Sequence, residues 1–389
     1  MRYFLAFLLV CAPLSALAAL GPAETITPEQ LRAEYAASKL KILIVPGHDL
    51  VHSGTQFGSG KNLYKEGELT LALGYALQKY FAQDAHIHTL VSRGVDGDYA
   101  DWLKEYVEDH GSELAQFRKE HVAATQAATG NGLFVATTTV SHNVADLDTR
   151  TYLFAVNKYA NDNGYDLVLH IHFNDYAGRK SGEVGEYTGF TIYVPDPQFS
   201  NSRASVAVAV SVRDALAQFM SGSTLPAESS ILVPDQDLVA TGEFGTRDGA
   251  SFLVEYSYIY EQSLRTKETR ASTLKQLAYE SYMGIEQFFN PTLPKKIAAD
   301  ALSHVWTTDL GAGAKGSADL LALQYALLAV GLYPAPGATL GECPLTGTFG
   351  SCTHDSLVLF QRKYLGYGQG EFGPKTRALL NKMFSKSSH

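Results

Sequence analysis

The sequence is poor in charge, in cysteine and in long apolar runs. Only 18% of the 389 residues are charged, and the formal net charge is −9. Because no concentrated basic surface is available to neutralise phosphates, nucleic acid is not an expected partner. Beyond the N-terminal segment no apolar stretch is long enough to cross a bilayer, so no membrane span is expected.

The N-terminal segment has the pattern of an export signal. A basic start is followed by an apolar run over 4–10 and by the small-x-small sequence Ala16-Leu17-Ala18. We expect residues 1–18 to be a signal peptide cleaved near Ala18, and the mature protein to be periplasmic or secreted. Cys11 leaves lipoprotein processing as an alternative, which the preceding Val10 disfavours.

Export leaves two cysteines in the mature chain, Cys343 and Cys352. An oxidising compartment and their close spacing predict that they form a disulfide with each other. For the same reason, a cysteine nucleophile is not expected.

Between residues 41 and 289, apolar strand-like runs alternate with stretches of helical periodicity. This alternation predicts an α/β fold, with a mainly parallel sheet covered by helices on both faces. In such sheets ligands bind beyond the carboxyl ends of the strands. The predicted strands are Lys41–Val45, His86–Val91, Leu167–Phe173, Phe190–Val194, Ile231–Val233 and Phe252–Tyr256.

Two segments interrupt the alternation. Residues from about 96 to 148 form an insertion with a predicted helix over Trp102–Phe117. This insertion is either a lid beside the site or a peripheral helix and loop. Pro291 and Pro294 then end a helix and favour an extended connector. We therefore expect a catalytic domain over 19–290, a linker over 291–316 and a small domain over 317–386.

The small domain contains an internal repeat. Residues 347–353 and 370–376 both have the pattern G-x-F-G-x-x-T. In each copy the glycines favour a tight turn, the phenylalanine is expected in a small core, and a helix is expected to follow. Together with apolar periodicity around Leu323, Phe360 and Leu380, the repeat predicts a compact all-α domain of three helices.

Four residues from separate segments lie where a predicted strand ends or a predicted helix begins: His48, Glu66, His172 and Glu255. Two imidazoles and one carboxylate are the protein ligands of many catalytic zinc sites. A further glutamate that is not a ligand takes the proton from the attacking water in such sites. The four residues therefore predict a zinc hydrolase.

Three neighbouring residues are alternatives to these ligands. His52 competes with His48, but it lies in a polar loop outside any predicted strand or helix. Glu68 competes with Glu66, which is preferred because it lies on the sheet-facing side of its helix. His170 shares a strand face with His172. We prefer His172, which is nearer the carboxyl end of the strand, and expect His170 to be a hydrogen-bonded core histidine.

The four segments resemble the zinc-dependent N-acetylmuramoyl-L-alanine amidases of the amidase_3 family. That family has the motifs D-P-G-H, G-x-x-E-K, S-I-H-A-N and V-L-V-E. The corresponding segments here are Val45-Pro46-Gly47-His48, Leu63-Tyr64-Lys65-Glu66-Gly67, His170-Ile171-His172-Phe173-Asn174 and Phe252-Leu253-Val254-Glu255. The resemblance implies that His48, Glu66 and His172 bind Zn²⁺ and that Glu255 is the catalytic glutamate.

The resemblance also implies a substrate. It is the peptidoglycan amide bond between the lactyl group of N-acetylmuramic acid and the L-alanine of the stem peptide. The small domain resembles the peptidoglycan-binding domain 1 family, which has the same G-x-F-G-x-x-T turn and an F-Q pair, here Phe360-Gln361. Two alternatives are a zinc peptidase that cuts within the stem and a catalytically silent wall-binding protein. The need for an activator protein is left open.

The chain departs from the family pattern at several positions. Val45 and Asp49 replace the residues on either side of Pro-Gly-His, Gly67 replaces the lysine after the glutamate, and Phe173 replaces the alanine after His172. The insertion after Arg93 is a further departure. None of these changes removes a predicted metal ligand.

Overall fold

The computed structural model describes residues 24–137, 140, 146–293 and 304–384. The predicted signal peptide lies outside these residues. The helices are α1 (Pro28–Ala36), α2 (Glu66–Phe81), α3 (Asp101–Asp109), α4 (Gly111–Gly130), α5 (Leu147–Asp162), α6 (Ser202–Leu216), α7 (Lys267–Phe289), α8 (Ala318–Ala329), α9 (Ser351–Leu365) and α10 (Pro374–Phe384). The strands are β1 (Leu40–Pro46), β2 (Gln56–Phe57), β3 (Tyr64–Lys65), β4 (Ile87–Val91), β5 (Leu167–Asn174), β6 (Thr191–Pro195), β7 (Leu232–Asp235) and β8 (Ala250–Tyr258).

Six strands form the central sheet in the order β4-β1-β5-β8-β6-β7. Strands β4, β1, β5 and β8 are parallel to their neighbours, whereas β6 is antiparallel to β8 and parallel to β7. All six predicted strands are present, and the predicted α/β class with a mainly parallel sheet is confirmed. Strands β2 and β3 form a separate antiparallel pair beside the sheet.

Helices cover both faces of the sheet, as predicted. On one face α2, α6 and α7 pack over the strands, with Leu73, Val208 and Ile285 fully buried in the largest core cluster. On the other face, α3, α4 and α5 pack against the alternate side chains of β1 and β5, including Leu43 and Val168. Because successive side chains of a strand point to opposite faces, a strand buried on both sides has an almost continuous apolar sequence.

The described part of the insertion is largely helical. The predicted helix over Trp102–Phe117 was wrong in extent, because the structure has two helices, α3 and α4, and the second continues to Gly130. Only Leu114, Ala124 and Ala128 of α4 are buried, so its sequence carries little apolar periodicity. Further along, Val140 packs beside Tyr193 of β6 and Leu253 of β8, so the insertion reaches the sheet.

The C-terminal part contains three helices, α8 to α10, as predicted. The two copies of the repeat have the same structure. Gly347 and Gly370 adopt left-handed φ angles of 69° and 73°, and Phe349 and Phe372 are buried. Glycine adopts such φ angles without steric cost, which explains why the first residue of each repeat is glycine.

A buried glutamine precedes each turn and repeats the same hydrogen bonds. Gln324 Oε1 accepts from Thr346 N and Gly347 N, and its Nε2 donates to Thr353 Oγ1 at 2.9 Å. Equivalent bonds link Gln361 to Gly370 N and to Thr376 Oγ1, also at 2.9 Å. The buried threonine at the end of the motif is therefore the partner of this glutamine.

The predicted disulfide is present, because Cys343 and Cys352 are bonded. Trp306, from the segment predicted as a linker, is buried in the core of the C-terminal helices together with Phe219, which follows α6. Residues 294–303 of that segment lie outside the described part. Within the residues that the structure describes, no helix is long and apolar enough to cross a membrane.

Candidate metal centre

The four predicted site residues come from neighbouring strand ends. His48 follows the end of β1, His172 lies near the carboxyl end of β5, and Glu255 lies directly opposite His172 in the β5–β8 register. Glu66 is the first residue of α2. Since β1, β5 and β8 are parallel and adjacent, their carboxyl ends meet at one edge of the sheet.

Glu66 lies between the two imidazoles. Its Oε2 is 2.9 Å from His48 Nε2, and its Oε1 is 3.1 Å from His172 Nδ1. One ligand atom from each of the three side chains lies within 4.8 Å of the others, so this group could hold a metal ion. The structure therefore brings together the three residues predicted as ligands.

The backbone around His48 fixes which ring nitrogen faces the cluster. His48 has a left-handed φ of 66°, which is uncommon for a residue with a side chain. Its Nδ1 lies 3.1 Å from the carbonyl oxygen of His52. In the neutral ring that contact places the proton on Nδ1 and leaves the Nε2 lone pair directed at the cluster. Asp49 shapes this loop by accepting hydrogen bonds from Val51 N and His52 N.

Two glycines make room for the cluster. A Cβ atom at Gly47 would lie 2.3 Å from Cε1 of His172, and one at Gly54 would lie 2.4 Å from Glu66 Oε2. Gly54 also has a φ of 72°. Side chains at these positions would occupy the volume that the imidazole and carboxylate now fill, so the site requires glycine at both.

Backbone N–H groups and the imidazoles keep Glu66 ionised. Burial alone would raise its pKa, but the two histidines attract the carboxylate and hydrogen-bond to it, so the pKa falls well below its usual range. Phe173 N donates to Oε1 at 3.1 Å and Thr55 N donates to Oε2 at 3.2 Å. An ionised carboxylate beside two imidazoles is a donor set that suits Zn²⁺.

Glu255 is a half-buried residue next to this cluster. Its Oε2 is buried and has no hydrogen-bond partner among the described residues. Burial raises its pKa well above the usual value, and the negative charges of Glu66 and Glu228 raise it further. A carboxyl oxygen that is buried without a protein partner is costly, so the residues present fit a site that takes up a cation or a polar ligand.

The three alternative ligands lie outside the cluster. His52 and Glu68 are both exposed, and His52 Nε2 contacts Asp146 at 3.1 Å. His170 is buried, but its Nε2 has no hydrogen-bond partner among the described residues. The expectation of a hydrogen bond is therefore not met at that atom. Burial also lowers the pKa of His170 to about 3, so the ring is neutral.

Sequence reasoning missed several residues that support the site. Asp175 and Arg179 form a bidentate ion pair, with nitrogen–oxygen distances of 2.6 and 2.7 Å. Both side chains also hydrogen-bond to the hydroxyl group of Thr55. Asn174, two residues after His172, donates to both oxygens of Glu228 at 3.0 Å. These partners come from distant segments and have no local sequence signal.

A mostly parallel α/β sheet whose strand ends bring two histidines and a glutamate within ligand distance defines a candidate metal-dependent hydrolase. Comparison with known families agrees with a hydrolase. Residues 42–287, more than half of the chain, match the Amidase_3 family, described as N-acetylmuramoyl-L-alanine amidase. The chain belongs to this family and is an enzyme that cleaves peptidoglycan.

Solved structures of such amidases are similar at low sequence identity. CwlD from Clostridioides difficile, solved in complex with the GerS lipoprotein, is 12% identical, with a TM-score of 0.42, over 65% of this chain and 99% of that one. Ami1 from Mycobacterium smegmatis is 16% identical, with a TM-score of 0.41, over 65% and 98%. AmiC2 of Nostoc punctiforme is 16% identical, with a TM-score of 0.39, over 64% and 97%. No curated protein sequence matches this chain.

Proposed function

We propose that this enzyme is a zinc-dependent amidase that hydrolyses the bond between N-acetylmuramic acid and L-alanine in peptidoglycan. The observation that carries the proposal is the convergence of His48 Nε2, Glu66 and His172 Nδ1 within ligand distance. These three residues are the proposed zinc ligands. The family match supports the amidase chemistry.

A zinc ion held there would supply Lewis-acid chemistry that activates water and polarises the amide carbonyl. The protein contributes the geometry and the proton transfer. Glu255 is the proposed general base, because its Oε2 has no competing hydrogen bond among the described residues. A cation held by the three ligands would favour the ionised form of Glu255, and Oε2 would then accept a proton from the attacking water and pass it to the departing L-alanine amine.

The C-terminal helices support a second part of the proposal. We assign residues 19–290 to the catalytic domain, 291–316 to a linker and 317–386 to a domain that binds the cell wall. A wall-binding domain on the same chain raises the local concentration of substrate at the active site. The proposed substrate is outside the cytoplasm, which agrees with the predicted signal peptide and with a periplasmic or secreted location.

The first test identifies the bond that is cut. The mature chain from Ala19 is incubated with purified peptidoglycan, and the released fragments are identified by mass spectrometry. The proposal predicts stem peptides with a free amino group on L-alanine. Fragments cut within the stem would indicate a peptidase, and wall binding without release would indicate a silent protein. Activity of the purified chain alone would show that no activator protein is required.

The second test concerns Glu255. The variant Glu255→Ala should bind zinc as the wild type does. Its kcat should fall about 10²–10⁴-fold, which is the usual contribution of general acid–base catalysis. Zinc content is measured by elemental analysis of the same preparation. A zinc-loaded variant that still cleaves at the wild-type rate would refute the assignment of Glu255.

A further inference from the structure

Arg93 is a buried arginine next to the candidate metal centre. It follows the end of β4 by two positions and is only 2% exposed. Within the described residues no carboxylate lies within ion-pair distance of its guanidinium. Burying a guanidinium without a direct partner charge is costly. Hydrogen bonds from the guanidinium to backbone carbonyl groups offset part of this free-energy cost.

The guanidinium joins three backbone segments. Its Nη1 donates to Gly67 O at 3.0 Å and to Gly47 O at 3.3 Å. Gly47 directly precedes His48, and Gly67 directly follows Glu66. The Nε and Nη2 atoms donate to Gly97 O, with a distance of 3.1 Å from Nε. A single nitrogen therefore bridges the segments that carry two of the proposed zinc ligands.

Neighbouring contacts make this bridge rigid. Thr70 Oγ1 also donates to Gly47 O, at 2.7 Å, and Tyr75 OH donates to the carbonyl oxygen of Arg93 at 2.8 Å. Gly67 has no side chain, and a Cβ atom there would lie 3.4 Å from His48 Cβ and 3.6 Å from Arg93 Nη1. The His48 and Glu66 segments therefore lie in close contact beside Arg93, and Thr70 Oγ1 contacts both of the same carbonyl oxygens, at 2.7 and 3.3 Å.

Electrostatics alone would not favour this residue at a cation site. A positive charge repels a metal cation, so the charge of Arg93 works against metal binding. The contribution of Arg93 to metal binding must then come from geometry. A lysine could not reproduce it, because an ammonium group is a point charge without the planar fork of donors.

We propose that Arg93 is a positioning residue that holds the His48 and Glu66 segments at the separation needed for metal binding. The inference rests on the proposed function, because it takes His48 and Glu66 as zinc ligands. It assigns no contact between Arg93 and the substrate.

The test compares Arg93→Met and Arg93→Lys with a matched control, Arg247→Met. Arg247 is also a buried arginine that donates to backbone carbonyls, including Thr246 O at 3.1 Å, but it lies outside the ligand segments. Zinc affinity is measured on each metal-free protein by competition with a chromophoric chelator, and thermal unfolding is followed in parallel.

We expect Arg93→Met to bind zinc about 10–100-fold more weakly, the usual effect of removing a group that orients metal ligands. Arg93→Lys should also bind zinc more weakly than the wild type. Arg247→Met should unfold at a lower temperature yet bind zinc with wild-type affinity. Equal zinc affinity in Arg93→Met and the wild type would overturn the inference.

Hydrogen exchange of the metal-free proteins separates this inference from the proposed function. The amides of Glu66 and Gly67 donate to Thr55 O and Ser53 O at 2.8 and 3.0 Å. They should exchange faster in Arg93→Met than in Arg247→Met. Unchanged exchange would refute the positioning role even if zinc did not bind. A wild-type protein that binds no zinc would instead refute the proposed function.

Discussion

The closest packing around the candidate metal centre occurs at Gly47, and it yields a quantitative prediction for Gly47→Ala. The new Cβ atom would lie 2.3, 2.4 and 2.7 Å from three atoms of the His172 ring. Ordinary carbon contacts are about 3.5–4.0 Å, so the imidazole must move by about 1 Å. Gly47 does not have a left-handed φ, so the substitution adds crowding without backbone strain.

Two effects of different size follow from that displacement. Overpacking should lower the free energy of unfolding by about 1–3 kcal/mol. A shift of about 1 Å in a group at the reacting centre costs about 10²-fold in rate. This corresponds to about 2.7 kcal/mol of lost transition-state stabilisation. We therefore expect kcat/KM on soluble peptidoglycan fragments to fall about 100-fold and zinc affinity to fall with it.

The matched control is Gly284→Ala. A Cβ atom at Gly284 would lie 2.6 Å from Cα of Val212, where α7 packs on α6, so this variant is also overpacked. It should lose a similar amount of stability but keep wild-type kcat/KM and zinc affinity per folded molecule. The reasoning would be refuted if Gly47→Ala kept kcat/KM within about threefold of the wild type.

Two further predictions concern stability. Reducing the Cys343–Cys352 disulfide, or replacing both cysteines by alanine, should destabilise the C-terminal helices by about 2–3 kcal/mol; a thermal transition of these helices unchanged by reductant would contradict this. Burial raises the pKa of Glu280 to about 9. Its carboxyl group ionises at lower pH in the unfolded chain, so wild-type stability should fall as pH rises from 4.5 towards 9. Glu280→Gln should remove this loss and be about 1–3 kcal/mol more stable at pH 7. Parallel urea titrations at pH 5 and pH 8 measure the difference, and equal gains at both values would refute it.

The strand ends were the most predictable part of the site. Apolar runs such as Leu40–Pro46 and Leu167–Asn174 are buried on both faces, so their composition identifies them as strands. The parallel arrangement then places His48, His172 and Glu255 at one edge, as the structure shows. These inferences use only local sequence and the parallel arrangement of the strands.

Contacts made by the backbone were not predictable from the sequence. Every residue has a backbone carbonyl group and nearly every residue a backbone amide, so the sequence does not show which of these groups bind site residues. Here they are the amides of Thr55 and Phe173 and the carbonyl groups of Gly47 and Gly67. The direction of β6 was missed for a related reason, because an apolar run has the same composition in either direction. The end of α4 was missed because its exposed face gives no apolar repeat.

The most direct test of the central claim is a zinc titration of the metal-free mature enzyme with peptidoglycan as substrate. The release of stem peptides with a free amino group on L-alanine is followed as zinc is added, beside a His172→Ala variant. The account predicts that chelation abolishes release, that one equivalent of zinc per chain restores it, and that the variant is not restored at the same concentration. Full activity after complete removal of metal, or equal restoration of the variant, would contradict it.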